Sequence, residues 1–497
     1  MTRHDGGVPK EPDNGDHAGT GAHGHSRRVA IAKKAGLLAV FALAHGRPYA
    51  APAQAAAACA GGASVFNGDG IRDVATAAPE ATVAGKKRAG LMRIVLGGGK
   101  GAVEISQESP DVADGAEAGD RFGTSLAVYD ADLDGCADLA IGTPYEDVGP
   151  ERDAGYVQVI FGSTEAVGRD KASKGFLQGS AYPIGGTPEQ EDWFGYAVTA
   201  GKSITGNPFL VIGIPGEDIG TVPDAGTLGY IYGTDFKGTA VSQDSVGVRE
   251  EAERYDRFGS SAAATDRHIA VGAPRESRGT VAGTGGLRAF APPINTDDIP
   301  RPLFGMGQSR TPDPDTAAQT DDHYATALAM APCRPAGAAA ITDSLLAVGV
   351  PGEDLSTTVD ASAVHVFHIT AAGTVSLVNW IDQNTPDVGG SPEAGELSGQ
   401  RLAAADTTTD VVSTSATVHL AVGVPGEDMG EFSEQGGVHN LPMIGAPGAS
   451  DVWIGPGAGE PAARTYTGLS LGTSRLSSTS ARRTAAGRCG PYTVLVR

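Results

Sequence analysis

The 497-residue sequence is poor in aromatic residues, basic residues and cysteine, and it has no long apolar run. Aromatic residues make up 6% of the chain, and 37 Lys and Arg are outnumbered by 59 Asp and Glu, giving a net charge of −22. This balance argues against binding to nucleic acid, because its phosphates are contacted by Lys and Arg. No apolar run approaches the roughly 18 residues of a membrane-spanning helix, so we predict no transmembrane segment.

Glycine and proline are abundant, with 72 Gly and 31 Pro. Together they form about one residue in five, which is typical of many strands joined by tight turns. No helical periodicity is present after residue 60, and hydrophobic residues reach 40%, enough for a buried core. The length then indicates several domains, a repeat array or one large closed β-structure.

The first 55 residues have the order of a secretory signal peptide with a long polar beginning. A polar stretch to residue 25 is followed by two basic pairs, an apolar run over 35–44 and small residues over 51–55. We predict export by the Sec route or, given Ser26-Arg27-Arg28, by the twin-arginine route. Lipid attachment at Cys59 is not favoured, because Leu is missing three residues before it. The predicted location is extracellular.

Two sequence blocks recur along the remainder of the chain. The first has the form Asp-x-Phe-Gly, and its aromatic or substitute positions are 122, 194, 258, 324, 398 and 471. The second is an apolar run ending in Gly-x-Pro, with the prolines at 144, 215, 274, 351 and 425 and an early copy over 74–79. A third, alternating run begins at 90, 155, 229, 286 and 363. These runs predict at least three strands per unit, with room for a fourth.

Units of this kind cannot bury both faces of a sheet alone, but they can when arranged radially as blades. We therefore predict an all-β fold, a β-propeller over 56–497. The units fall near 60–115, 116–185, 186–250, 251–315, 316–390, 391–460 and 461–497. Segments 292–320 and 440–465 look like long connectors. Seven blade positions with an incomplete last blade are favoured. Alternatively, 469–478 supplies the missing first strand of unit one and closes six blades.

The order of Phe-Gly, an acidic loop and Gly-x-Pro resembles the FG-GAP repeat. The resemblance extends over about residues 60–497 and is to the N-terminal propeller of integrin α-subunits and to bacterial secreted FG-GAP/VCBS proteins. It implies a propeller that binds ligands outside the cell and binds calcium in the acidic loop.

The second unit contains the most complete acidic loop, Asp130-Ala-Asp132-Leu-Asp134-Gly135-Cys136-Ala-Asp138. Carboxylates at positions 1, 3, 5 and 9 with Gly at position 6 can converge on one cation, and Ca²⁺ takes 6–8 oxygen ligands. The loop is not an EF-hand, because position 12 is Ile141. The resemblance assigns calcium to the four aspartates and the Cys136 carbonyl. The alternative is a solvated acidic turn.

A weaker copy of the loop lies in unit one. Asn67, Asp69 and Asp73 match positions 3, 5 and 9, but Val65 replaces the first aspartate. One ligand is missing, so metal occupancy of this loop stays open. Units three to six lack the acidic loop.

Acidic pairs also follow Gly-x-Pro, at 146–147, 217–218, 353–354 and 427–428, and single aspartates precede Phe-Gly. In a blade of alternating strands, these residues fall on the face opposite the calcium loops. They could form an acidic ring for a cationic partner, or they could cap turns and bond backbone amides between blades.

Four cysteines, at 59, 136, 333 and 489, predict two disulfides in an exported chain. Cys59 and Cys136 each lie near a matching acidic loop, which favours Cys59–Cys136 and leaves Cys333–Cys489. The cysteines are too dispersed for a zinc site.

The sequence thus predicts a secreted, monomeric, calcium-binding propeller that acts as a binding or adhesion-type module and not as an enzyme. Its partner could be an extracellular protein, a glycan or a surface. Two alternatives stay open: a hydrolase or lyase that uses the central opening of the propeller, and a structural spacer.

Overall fold

The computed structural model describes residues 59, 61–62, 64–164, 167–168, 171–308, 317–408, 410–428, 433–455, 471–472 and 494–495. The predicted signal peptide lies outside these residues. The described part of the chain is built of antiparallel strands with two short 3₁₀ helices, Gly97–Gly99 and Pro447–Ser450, and it contains no α-helix. No helix in that part is long and apolar enough to span a membrane.

Six sheets follow one another, and within each sheet the strands are adjacent in chain order. Blade one has three strands, β1 (Val74–Ala78), β2 (Leu91–Val95) and β3 (Ala102–Ile105). Blade two has β4 (Ser125–Tyr129), β5 (Asp138–Thr143), β6 (Tyr156–Ile160) and β7 (Lys174–Phe176). Blade three has β8 (Val198–Lys202), β9 (Pro208–Ile214), β10 (Thr227–Tyr232) and β11 (Lys237–Val241).

The remaining blades also have four strands each. Blade four has β12 (Ser261–Ala264), β13 (Ile269–Ala273), β14 (Gly286–Ile294) and β15 (Pro300–Met306). Blade five has β16 (Leu328–Cys333), β17 (Asp343–Val350), β18 (Ala363–Ile369) and β19 (Val375–Ile381). Blade six has β20 (Arg401–Asp406), β21 (Val418–Val424), β22 (Gly437–Pro442) and β23 (Val452–Ile454).

The predicted all-β propeller is confirmed. Each apolar run that ends in Gly-x-Pro is the second strand of a blade, or the first of blade one, and each alternating run is the next strand. The prediction that 292–320 and 440–465 are long connectors was wrong in part, because 292–320 contains β15 and 440–465 contains β23. Both are fourth, outer strands of their blades.

A short strand pair follows blade six. β24 (Leu471–Gly472) pairs with β25 (Val494–Leu495) and contacts β20. Leu471 packs against Ala403, Ala421 and Val438 of blade six. The first strands of blades two to six contact one another in the same serial way. β24 therefore takes the next position in the series, and among the described residues it pairs with β25 and not with blade one.

The hydrophobic core lies between blades. Each of the five large clusters of buried side chains combines residues from two neighbouring blades. The aromatic residue of the Phe-Gly block belongs to the cluster shared with the preceding blade, as Phe122, Phe194, Phe258 and Tyr324 show. All four are fully buried. The blades thus depend on one another for burial of their apolar faces.

Backbone hydrogen bonds explain why the repeat needs its glycines. The amide of Phe194 donates to the carbonyl of Ala154 in the preceding blade, and Phe194 forms a parallel bridge with Gly155. Within blade three, the amide of Gly195 donates to the carbonyl of Gly213, the glycine of Gly-x-Pro. A Cβ at Gly213 would lie 1.9 Å from the carbonyl oxygen of Gly259 in the next blade. The two sequence blocks are therefore the points where adjacent blades join.

Candidate metal centre

The acidic loop of blade two connects β4 to β5 and brings three carboxylates together. One oxygen from each of Asp130, Asp132 and Asp138 lies within 4.8 Å of the others. Asp138 is fully buried, and Asp130 and Asp132 are partly buried. Asp130 Oδ1 is buried and has no hydrogen-bond partner in the part of the chain that the structure describes. An unpartnered carboxylate oxygen among other carboxylate oxygens fits a hard cation such as Ca²⁺, which takes oxygen ligands.

Backbone amides fix the shape of this loop. Asp138 Oδ2 accepts from the amide of Ala131 at 2.7 Å, and Asp138 Oδ1 accepts from the amide of Gly162 at 2.8 Å. Asp134 Oδ1 accepts from the amide of Cys136 at 2.8 Å. Asp134 is not in the cluster formed by the three other aspartates; its carboxylate lies beside the sulfur atoms of the disulfide.

The surroundings of the loop disfavour the ionised form of its carboxyl groups. Burial, followed by the carboxylates of Asp134 and Asp132, raises the pKa of Asp130. Burial raises the pKa of Asp138 to about 8, against two amide hydrogen bonds that lower it. Clustered carboxylates that resist ionisation become stable as anions when a cation binds between them.

The weaker loop of blade one repeats this hydrogen bonding. Asp73 Oδ2 accepts from the amide of Phe66 at 2.9 Å, and Asp73 Oδ1 accepts from the amide of Gly97 at 2.8 Å. The Asn67 side-chain amide donates to Asp69 Oδ2 at 2.8 Å. Val65, at the position of Asp130, is buried and offers no oxygen ligand from its side chain. The loop therefore has the same backbone frame but fewer anionic oxygens.

A lysine contacts each of the two acidic loops. Lys171 lies in the connection between β6 and β7, and Lys100 lies in the equivalent connection between β2 and β3. Lys171 Nζ forms an ion pair with Asp132 and lies 3.7 Å from the centre of the Phe161 ring. Lys100 Nζ lies 2.8 Å from Asp69 Oδ2, and this contact is the main cause of the lowered pKa of Asp69. The sequence patterns do not reveal either lysine, because each lies some 30 to 40 residues from its partner.

The predicted disulfide Cys59–Cys136 is present, with the two Cα atoms 5.1 Å apart. It joins the start of the described chain to position 7 of the main acidic loop. Cys333 is buried and has no disulfide partner among the described residues. Cys489 lies outside them, so the second predicted pairing stays a prediction.

The acidic residues on the opposite face have two structural roles. The second member of each acidic pair accepts a backbone amide six residues later, as Asp147 does from Asp153 at 2.9 Å. The same bond recurs at Asp218, Asp354 and Asp428. The first member is a glutamate that points between blades. The structure therefore favours the turn-capping interpretation of these residues over an exposed acidic ring.

Each inter-blade glutamate meets a glutamine from the preceding blade and an acid that precedes the Phe-Gly block. We name these sets acid junctions. They are Gln107–Asp120–Glu146, Gln178–Asp192–Glu217, Gln243–Asp256–Glu276, Gln308–Asp322–Glu353 and Gln383–Glu396–Glu427. The glutamines were not predicted from the sequence, although each one follows the last strand of its blade in blades one to five, and this recurrence is readable in the sequence.

Comparison with known proteins agrees with this architecture. The FG-GAP repeat family matches residues 122–160, which run from the Phe-Gly block of blade two to the end of β6. The chain is 34% identical over 155 residues to the phosphatidylinositol-glycan-specific phospholipase D of Dictyostelium discoideum. It is 31% identical over 166 residues to integrin alpha-PS2 and 30% identical over 191 residues to integrin alpha-PS5, both of Drosophila melanogaster.

These alignments cover 30%, 31% and 38% of this chain and only 16%, 11% and 17% of the respective relatives. The similarity thus concerns the repeat and not the whole of either kind of relative. Together with six antiparallel blades whose junctions are the Phe-Gly and Gly-x-Pro blocks, it identifies the repeat. The chain contains an FG-GAP repeat at residues 122–160, and its described residues form an integrin-like FG-GAP β-propeller.

Proposed function

We propose that this chain is a secreted, monomeric FG-GAP propeller that binds Ca²⁺ and acts as an extracellular binding module of the adhesion type. The observation that carries the proposal is the convergence of Asp130, Asp132 and Asp138, with a buried Asp130 oxygen that has no hydrogen-bond partner among the residues described. The carbonyl of Cys136 and the side chain of Asp134, which lies outside the cluster of the other three carboxylates in this structure, complete the proposed ligand set. Bound calcium would neutralise the loop and hold β4 and β5 at the turn that joins them.

The weaker loop is proposed as a second, lower-affinity site formed by Asn67, Asp69 and Asp73. Its frame matches that of the main loop, but Val65 contributes no oxygen and Lys100 already neutralises Asp69. Fewer anionic ligands reduce calcium affinity. We therefore expect the main loop to fill first in any titration.

Secretion is supported by the disulfide, because such bonds persist in oxidising compartments. A binding role is supported by the similarity to integrin alpha chains. The proposed partner is an extracellular protein, a glycan or a surface. The test is retention of the purified chain on immobilised extracellular proteins and on insoluble polysaccharides, with calcium and with chelator. Saturable, calcium-dependent retention on one class is expected, and its absence on all of them would overturn the binding role.

A catalytic alternative is favoured by the phospholipase D relatives. In that case the chain would act as an extracellular hydrolase on a phosphatidylinositol-glycan anchor. Incubating it with an anchored reporter protein on vesicles tests this directly. Release of the reporter into solution at a rate proportional to the chain concentration would establish an enzyme and replace the binding proposal.

Lys171 offers a specific prediction about the main loop. Its ammonium group neutralises Asp132 and therefore competes with a cation for that carboxylate. We expect Lys171→Met to bind Ca²⁺ about two- to fivefold more tightly, the size of a partly exposed ion pair. Calorimetric titration measures the affinity.

Lys174→Met is the matched control, because Lys174 belongs to the same segment and lies over the ring of Phe176. It is expected to leave calcium affinity unchanged. An unchanged or weaker affinity of Lys171→Met would contradict the competition.

A further inference from the structure

The acid junctions bring together more hydrogen-bond acceptors than donors. Each glutamine uses its amide nitrogen to donate to the glutamate, as Gln107 does to Glu146 at 2.5 Å and Gln243 does to Glu276 at 2.6 Å. Each aspartate accepts one backbone amide, as Asp256 does from Glu253 at 2.8 Å. The remaining polar side-chain atoms of these sets are oxygen atoms, which accept hydrogen bonds and do not donate them unless they are protonated.

Several of those oxygen atoms are buried and have no hydrogen-bond partner among the described residues. They are Asp192 Oδ1, Asp256 Oδ1, Asp322 Oδ1, Glu353 Oε1 and Glu396 Oε2, together with the side-chain oxygens of Gln107, Gln178, Gln243 and Gln383. Buried polar atoms normally have a hydrogen-bond partner, and each exception calls for an explanation. A proton on one carboxyl group supplies the missing donor, because a protonated acid gains an O–H.

The junction between blades five and six shows the carboxyl groups in direct contact. Glu396 and Glu427 lie within hydrogen-bonding reach of each other, and Gln383 Nε2 donates to both at 3.1 Å. Two carboxylates at hydrogen-bond distance cannot both be ionised, so one must carry a proton. Glu396 is 1% exposed, so bulk solvent does not reach this carboxyl group.

The charges around the junctions do not replace the proton. Glu353 faces Asp322, Asp354 and Asp382, and Asp322 also faces Asp321 and Asp360. At the junction of blades one and two, Glu146 and Asp120 are surrounded by the acids Asp114, Glu117 and Asp147. At the junction of blades two and three, Asp192 and Glu217 are surrounded by Glu189 and Asp218.

The junction of blades three and four differs, because a cation is present. Arg288 Nη2 lies 3.6 Å from Glu276 Oε2 and also pairs with Glu250, while Glu253 faces Asp256. Even here burial is the main influence, and it raises the pKa of Glu276 to about 8 and that of Asp256 to about 7.

We propose that each acid junction binds one proton, shared between its two carboxyl groups, and that these protons hold neighbouring blades together. The propeller then contains a repeated proton-dependent contact that is independent of the calcium loops. Mildly acidic conditions tighten the blade contacts, and alkaline conditions loosen them by leaving two anions in one buried site.

The direction of the pH effect follows from linkage. Burial raises the pKa of Glu353 and Glu146 to about 8 and that of Asp322 and Asp120 to about 6. Unfolded Asp and Glu titrate near pH 4. The folded chain thus holds protons that the unfolded chain releases. The stabilisation is complete below about pH 4 and is lost as the pH rises through about 6 to 8.

Proton release on unfolding at pH 7 tests the proposal. Denaturant is added to unbuffered protein in the presence of chelator, and the released protons are counted by back-titration. We expect Glu353→Gln, which mimics the protonated acid, to release about one proton fewer than the original chain. The unfolding constant of the variant should also rise less steeply with pH than that of the original chain. The difference between the two slopes should be about a factor of ten per pH unit. Glu251→Gln, at an exposed glutamate, is the control that should change neither quantity.

An infrared measurement keeps the test independent of folding of the variant. The folded original chain at pH 7 should show the carbonyl stretch of protonated carboxyl groups, and the band should disappear above about pH 9. Glu146→Gln, at another junction, replaces Glu353→Gln if that variant does not fold. Equal proton release from all variants, or the absence of the infrared band at pH 7, would overturn the proposal.

Discussion

Replacing Gly155 with Ala is expected to destabilise the propeller by about 3–5 kcal/mol. Gly155 has φ +91°, and an added Cβ would lie 2.4 Å from both the amide nitrogen and the carbonyl oxygen of Phe194. These are backbone atoms at the join between blades two and three, so they cannot turn aside as a flexible side chain can. The left-handed backbone and the overlap therefore add, and chemical denaturation measures the loss of unfolding free energy.

Gly101→Ala separates the two contributions. Gly101 has φ +94°, but no neighbouring heavy atom lies within 4 Å of the added Cβ. Only the backbone strain of about 1–2 kcal/mol is expected there. Equal losses in the two variants would show that the close approach of the blades at Gly155 contributes nothing.

Removing the disulfide is the second large change. Cys59→Ser opens a link between residues 77 positions apart, and the chain-entropy estimate for such a loop is about 4 kcal/mol. Cys59 is the better position to replace, because Cys136 is fully buried and its amide bonds Asp134 in the metal loop. Thermal or denaturant unfolding measures the difference between the variant and the original chain.

Reductant provides the control for this prediction. It should lower the stability of the original chain to that of Cys59→Ser in the same reductant, and it should lower the stability of the original chain by more than that of the variant. If the variant unfolds with the original chain, or if reductant destabilises both equally, the link between Cys59 and Cys136 does not stabilise the propeller.

Most of the strands that sequence reasoning predicted are buried on both faces, although β1 and β2 of blade one were predicted too and are partly exposed. β5, β9 and β17 are buried throughout, and such strands appear in the sequence as continuous apolar runs. The fourth strands are outer edges with a mixed character. β15 contains Pro300 and Pro302, which a central strand would exclude but an edge strand tolerates, because no ladder bond is lost on its open side.

The roles of the acidic residues could not be predicted from their positions. Glu146 and Asp147 are adjacent, yet Glu146 is 2% exposed while Asp147 lies at the surface. The difference arises from Gln107, which reaches Glu146 from the preceding blade, 39 residues away. Burial of this kind is set by how two blades meet, and no local pattern encodes it.

The acidic loop of blade two was predicted in part from the sequence. The spacing of Asp130, Asp132 and Asp138 predicted that their carboxylates converge, and the three do converge. The same spacing predicted Asp134 as a fourth member, whereas its carboxylate is turned toward the disulfide and bonds the Cys136 amide. The disulfide joins residues from two units, so its effect on the loop was not readable from the nine-residue motif.

Calcium titration of the purified chain, followed by calorimetry together with thermal melting, tests the central claim most directly. The account predicts binding in the range of extracellular calcium modules, with a dissociation constant on the order of 0.1–1 mM, and a higher melting temperature when calcium is bound. Asp130→Asn keeps the shape of the side chain and should abolish the tighter site. No heat of binding and no change in melting temperature at millimolar calcium would contradict the account.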